Sequence, residues 1–550
     1  MPISRRQFLG GSAALAATAA AVSSISTEFA LSSSTSSAAA APSLPVIALN
    51  RIAYGPRPGD VANVQSVGLQ AYVDQQLEPG ALNDADCDAR IAARNLTTLN
   101  LSLTDLWTQY HALEDYSARL QPFREVRTAT WLRAVYSKRQ LQEVLVEFWH
   151  NHFNVSASSS SDIACVWPEY DRVIRRNCLG NFRTFLEAVA QSPSMLFYLD
   201  NASSRDGPAN ENYARELFEL HTLGADHYYN SLYDNVDQIP RYSDGRPMGY
   251  IDQDVYEAAD CFTGWTVANG GWNGVNNFPN TGVFLYHHDW HDRSPTKIVL
   301  SPNGRPNITD PTTPLGDGRR VLDLLATHPA TAQHLCRKLC RRLVADEPPQ
   351  TLVDKAVATW SANLTAPDQI KRVVRTIVLA PEFAAVWGGK VKRPFELVVS
   401  FLRATAAEFV PNENLHWTML GTGYRLFEWP TPTGHPDTAS AWLNSNVLQR
   451  LWNYPNVLMA TWFDAARFNL SAQIPANVTT STQIVDFWLG RLLGRDIAAA
   501  DRSRLIDFMR QSRAADQPPV PEPSSSTTDL NDRINNLVTL IAMMPEFLQR

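Results

Sequence analysis

Glu211, Glu216, Glu219 and His221 place four side chains of the acid/base repertoire within eleven positions of the stretch NENYARELFELHTLG, residues 210–224. Pro208 and Asn210 supply helix-start signals, and Gly224 sits where a C-terminal cap belongs. On such a helix Asn212, Glu216 and Glu219 fall at i, i+4 and i+7 on one face, with Tyr213, Leu217 and Leu220 as an apolar stripe. Two carboxyls on adjacent turns are the raw material of acid/base hydrolysis, because each ionised group opposes ionisation of the other and one keeps its proton near neutral pH. The bland alternative is a solvated helix in which Glu211 and Arg215, at i and i+4, form a surface ion pair worth a few tenths of a kcal/mol.

Other segments bring more of the same residue types. LQEVLVEFWHNHFNVS sets Glu143, Glu147 and His150 on one helical face, with His152 at the expected helix end. Glu147 and His150 have the Glu-x-x-His spacing of di-metal carboxylate sites in helical bundles. Such a centre needs a second copy, and the one other match, Glu413 to His416, lies in a segment broken by Pro411. LFYLDNASS ends an apolar helix on Asp200 and Asn201, and FLYHHDWHD gathers His287, His288, Asp289, His291 and Asp292. The latter cluster fits a metal or acid/base site as well as polar loop residues bonded to backbone. There is no Gly-x-Ser-x-Gly elbow, Walker loop, dinucleotide fingerprint, Cys-x-x-Cys pair or His-Glu-x-x-His.

The elements that position these groups read as helices: apolar residues recur at three and four spacing in LTDLWTQYHALEDY and IKRVVRTIVLAPEF, and alternating patterns are scarce. The fold class expected is mainly α, multi-helical, with few short strands. Between the helices run long connections at 266–284, 301–318 and 411–442, rich in Gly, Asn and Pro; the first and third also carry aromatic residues that suit ligand-facing loops. With 550 residues, 44% hydrophobic and 19% charged, the chain has enough material for one large or two ordinary cores.

MPISRRQFLGGSAALAATAAAVSS carries Arg5 and Arg6 before a short alanine-rich run and reads as a twin-arginine export signal. The expected division is therefore 1–41 signal and small-residue linker, 42–330 a helical domain holding the candidate site, and 331–550 a helical region packing on it, with a mobile insertion near 514–529. No other stretch is long and apolar enough for a membrane span. Residues 1–41 hold two Arg and one Glu, so their removal takes the formal charge from −7 to −8, which argues against a nucleic-acid partner. Six cysteines are too sparse for a disulfide scaffold, although an oxidising destination permits one or two bridges; Cys336 and Cys340, four apart on a helix, read as buried thiols. A weak internal repeat links the helices from Thr331 to LAPEF (379–383) with those from Thr482 to MMPEF (543–547).

Taken in order, EFWHNHFNV (147–155), MLFYLDN (195–201), NENYARELFELHTLG, DVYEAADCFTGW (254–265), HHDWH (287–291), HPATAQHLCRKL (328–339) and KRPFEL (392–397) resemble the bacterial DUF1800 family over roughly residues 45–405, with a looser tail beyond. The resemblance implies an exported protein whose gene accompanies those of DUF1501 proteins, themselves similar to sulfatases and alkaline phosphatases. It thereby suggests extracellular polymer metabolism. HHDWHDRSPTK departs from the shorter family pattern, in which His-Asp is soon followed by Gly-Lys, so the match of Lys297 to that lysine stays open.

The leading expectation is a periplasmic or extracellular carbohydrate-active hydrolase acting on a polysaccharide or oligosaccharide, without a cofactor. Glu216, Glu219, Asp200 and Glu211 are its catalytic candidates. His150, His152, Asn212, Arg215, Trp265, His288 and Asp289 are its substrate-binding candidates. The alternatives are a metal-dependent redox or hydrolytic enzyme with Glu147, His150, Glu216 and Glu219 holding a transition metal, and a helical scaffold for a DUF1501-type partner.

Overall fold

A computed structural model describes residues 41–550, apart from 208, 301–307, 311–312, 314, 461–463, 512 and 520–526, and apart from the side chains of 527–529. The expected signal segment, save Ala41, and the middle of the expected mobile insertion lie outside the described residues. The fold is mainly α, as the three-and-four spacing requires. Among the described residues there are two sheets, each a two-stranded antiparallel pair: Trp265–Asn269 with Asn280–Tyr286, and Glu408–Phe409 with Ala466–Arg467.

The first pair corrects the reading of 266–284 as a plain connection. Trp265, Thr266 and Val267 pair with Tyr286, Leu285 and Phe284, so the segment is a hairpin whose Gly/Asn-rich middle is its turn. Its base explains a glycine: Gly264 has φ +77, and a Cβ there would meet the His287 carbonyl oxygen at 2.5 Å. Ser204, Gly264 and His287 are laced together by backbone bonds of 3.1 and 2.8 Å through this close approach.

One cluster of buried apolar side chains runs from Ile47 to Leu548 and includes residues from both sides of position 330. The two stretches ending in Pro-Glu-Phe share an element order. Pro329–Leu343, Gln350–Ala362 and Gln369–Val378 precede Pro381–Ala385; Ser481–Leu492, Ala499–Arg510 and Thr527–Ala542 precede Pro545–Leu548. Their phenylalanines also play one role. Arg51 lies 5.1 Å from the Phe383 ring and donates to its carbonyl, while Lys392 lies 4.1 Å from the Phe547 ring and donates to its carbonyl at 2.8 Å. Of the expected insertion, Ala515 and Gln517 accept backbone bonds of 3.2 Å from Thr482 and Ser481, which ties that part to the start of the helix Ser481–Leu492. All six cysteines are buried and unpaired.

Candidate active site

The 210–224 stretch is not one regular α-helix. An α-helical turn, Asn212–Glu216, passes into a π-helical turn, Leu217–His221, before Gly224 (φ +93) ends it. The wider turn carries Phe218 and His221 into the core together with Tyr213 and Leu217, and leaves Glu216 and Glu219 half-buried at its edge. Burial first, then the neighbouring Glu219 carboxylate, pushes the Glu216 carboxyl up to about 7, with Arg215 only partly opposing them.

Two tyrosines flank this pair. Tyr198, which donates to the Pro430 carbonyl at 2.9 Å, is pushed up to about 12 by burial and then by Glu216. The Tyr250 hydroxyl is buried without a hydrogen-bond partner and is raised by burial and then by Glu219. Tyr250 packs against Phe218 at 5.2 Å and the exposed Tyr228 at 5.3 Å, so an aromatic surface adjoins the carboxyls. Neither tyrosine was among the sequence candidates, because nothing local in YLD or MGYID marks them as neighbours of residue 216.

Arg215 does make the i, i+4 pair with Glu211, at 3.2 Å, and also reaches Asp252 at 3.0 Å, which accepts from Tyr228 at 2.7 Å. Asn212 is half-buried at the helix start, its N–H capped by Asn210. Asp200 lies exposed at φ +59, where the turn Asn201–Ser203 begins. His288 and Asp289 are exposed on the turn His288–Trp290, whose end touches the 200–211 loop: Asp206 donates to the Trp290 carbonyl at 2.7 Å. Trp265 is a correction: it is 0% exposed, packed on Phe262 and Phe284, and presents no face to a ligand. Its apolar neighbours on the preceding helix and the paired strand, not solvent, claim the ring.

Glu147 and His150 also differ from the metal-ligand expectation. Glu147 is buried and takes Arg393 at 2.6 Å, Arg342 at 3.0 Å and the Tyr424 hydroxyl at 3.0 Å. Burial would raise it, but Arg393 and Arg342 outweigh that and hold it below the usual carboxylate range. His150 Nε2 lies 3.1 Å from Asp171, which Arg175 grips at 2.7 Å. Glu413 pairs with Arg127 at 2.7 Å and His416 with Glu428 at 3.3 Å. Among the described residues no group of three or more His, Cys, Asp or Glu is arranged to hold a metal ion, so Glu147, His150, Glu216 and Glu219 are not one ligand set.

Two further clusters emerged. His152 meets the end of the π turn: its Nε2 lies 3.2 Å from the His221 carbonyl, and its Nδ1 faces Lys338 Nζ at 2.9 Å. Burial, aided by Lys338, holds His152 well below its ordinary value and takes His221 and His334 down to about 3; these imidazoles are neutral. The second cluster centres on buried Asp317. His291 lies 3.2 Å from it and Lys297 2.8 Å, overcoming burial to hold its carboxyl at about 2. Lys297 thus joins the His-Asp segment despite its altered spacing. Asp317 carries no signal in LGDGRR, because its partners lie 20 and 26 residues upstream.

A family profile described as a protein of unknown function (DUF1800) matches residues 47–549, well past the extent of the sequence resemblance. A second, for the twin-arginine translocation pathway signal sequence, matches residues 2–22. No curated protein and no solved structure matches.

Proposed function

For a chain that belongs to the DUF1800 family and opens on a twin-arginine export signal, we propose the function of a hydrolase that cleaves glycosidic bonds of a polysaccharide or oligosaccharide in the periplasm or outside the cell. The supporting observation is the Glu216 carboxyl at about 7, raised by burial and by Glu219. A carboxyl tuned there holds a transferable proton at neutral pH, as a general acid must. Glu216 donates it to the leaving glycosidic oxygen. Glu219, one turn on, is the partner that takes the proton of the attacking water or attacks the sugar carbon.

The exposed Tyr228, backed by buried Tyr250, offers a ring face beside the pair, and the exposed Asp200, His288 and Asp289 on the adjoining loops offer hydrogen bonds to hydroxyls. Trp272, 64% exposed at the hairpin turn among Asn and Gly, is a second stacking face. The mature chain incubated with neutral and acidic polysaccharides should release reducing ends, and Glu216→Gln should slow the release by about 10²- to 10⁴-fold. Release by Glu216→Gln at the parental rate, or by neither protein from any polymer, ends this reading.

A further inference from the structure

A cavity of about 440 Å³ opens between the 95–100 loop and the helices Gln121–Tyr136 and Trp167–Asn177. Its size suits a small ligand of one or two rings. Arg133, Arg172 and Arg175 stand on its wall with Asp88 and Asp171.

Most of that charge is spoken for. Arg172 is held by Glu169 and by the Leu99 and Leu101 carbonyls at 2.7–2.9 Å. Asp171 is held by His150 and by Arg175 Nε. Arg175 gives Nη1 to Glu143 at 2.9 Å, and its Nη2 is closed off from solvent and so from the cavity. Arg133 is the exception. Its closest acid, Asp171, is 3.9 Å from Nη1, beyond hydrogen-bond reach, and its side chain is only 24% exposed. Burial and the adjacent Arg175 charge both disfavour its cation.

A guanidinium that lines a cavity and meets no hydrogen-bond acceptor among the described residues, as that of Arg133 does, defines a place for an oxyanion. We propose that this cavity binds a monoanionic sugar-sized ligand, its carboxylate or sulfate ester gripped by Arg133. Asp88 on the same wall sets the limit of one negative charge, since a second would face it. Asn95, Thr97 and Asn100 are within the lining to meet hydroxyls, and Leu99 and Val126 to meet the ring.

The sugar frame rests on the carbohydrate reading above, while the anion site rests on Arg133. The test compares D-galacturonate, galactose 6-sulfate and galactose, at low ionic strength, by titration calorimetry and thermal shift on the mature chain. At least one of the two anions should bind and raise the melting temperature, and which of them does so names the group; galactose should do neither. Arg133→Gln should weaken the binding by about tenfold or more. Should that variant fail to fold, Arg133→Lys keeps the charge without the planar fork and should still weaken it. Equal binding of galactose, no binding of either anion, or parental affinity in the folded Arg133 variant overturns the proposal. Binding of galacturonate by a protein that cleaves no polymer would leave the cavity's role intact and discard only the hydrolase.

Discussion

The guanidinium of Arg550 donates from Nη2 to the backbone carbonyl of Arg51 at 2.9 Å while its Nη1 goes to Glu396. The same Glu396 oxygen takes Arg342, and Arg393 at 3.1 Å, so one buried carboxylate holds three arginines. Removing a single partner from such a group leaves charges buried and uncompensated. Glu396→Gln should cost about 3–5 kcal/mol in urea unfolding.

Acid should undo the same network. Despite burial, its arginines hold Glu396 well below the ordinary range; Lys390 and Arg393 hold Asp437 at about 2, and His291 and Lys297 do the same for Asp317. Each of these groups binds its proton more weakly folded than unfolded, so its contribution is present above about pH 4. It is lost as pH falls from about 4 toward 2. Urea midpoints should drop steeply below pH 4, and a flat profile from there to pH 2.5 would contradict the ion pairing.

Glu216 carries the opposite sign. Its folded value, about 7, lies above the ordinary carboxylate value of about 4.3, so the fold resists its ionisation. Stability is drained as pH rises from about 4 through 7 and levels off beyond. Glu216→Gln should therefore melt higher than the parent at pH 8 and level with it at pH 4. If Glu216 donates the proton, parental activity should also decline above about pH 7.

At Gly264 a side chain is excluded twice, by φ +77 and by the His287 oxygen. Gly264→Ala should cost about 1–3 kcal/mol. It should also loosen the 287–292 turn, measured as faster amide exchange of His287, whose N–H donates to the Gly264 carbonyl.

Since all six thiols are buried and unpaired, reductant should not move the melting temperature, and alkylation should require denaturant. Rapid labelling of the native chain would contradict their burial.

The helical class was legible because three-and-four apolar spacing is a local property of LTDLWTQYHALEDY and its like. So was the coupling of Glu216 to Glu219, which lie one turn apart. The π turn after Glu216 was not, since it answers to the packing of Phe218 and His221 rather than to any pattern in the chain. Trp265 misled because aromatic residues beside Gly and Asn look alike whether they serve a loop or a core-facing strand. Glu147 misled because Glu-x-x-His spacing says nothing of Arg342 and Arg393, about two hundred residues away, which claim the carboxylate first. Tyr250, Lys338 and Asp317 act through contacts that only the completed fold creates.

Because Arg550 clasps Arg51, the residues just after the last described helix are fastened to the end of the first like a buckle. Without Arg550 the buried Glu396 carboxylate would be one cation short. A transporter that moves finished proteins, as the twin-arginine route does, spares this clasp; threading the chain through a narrow channel would pry it apart.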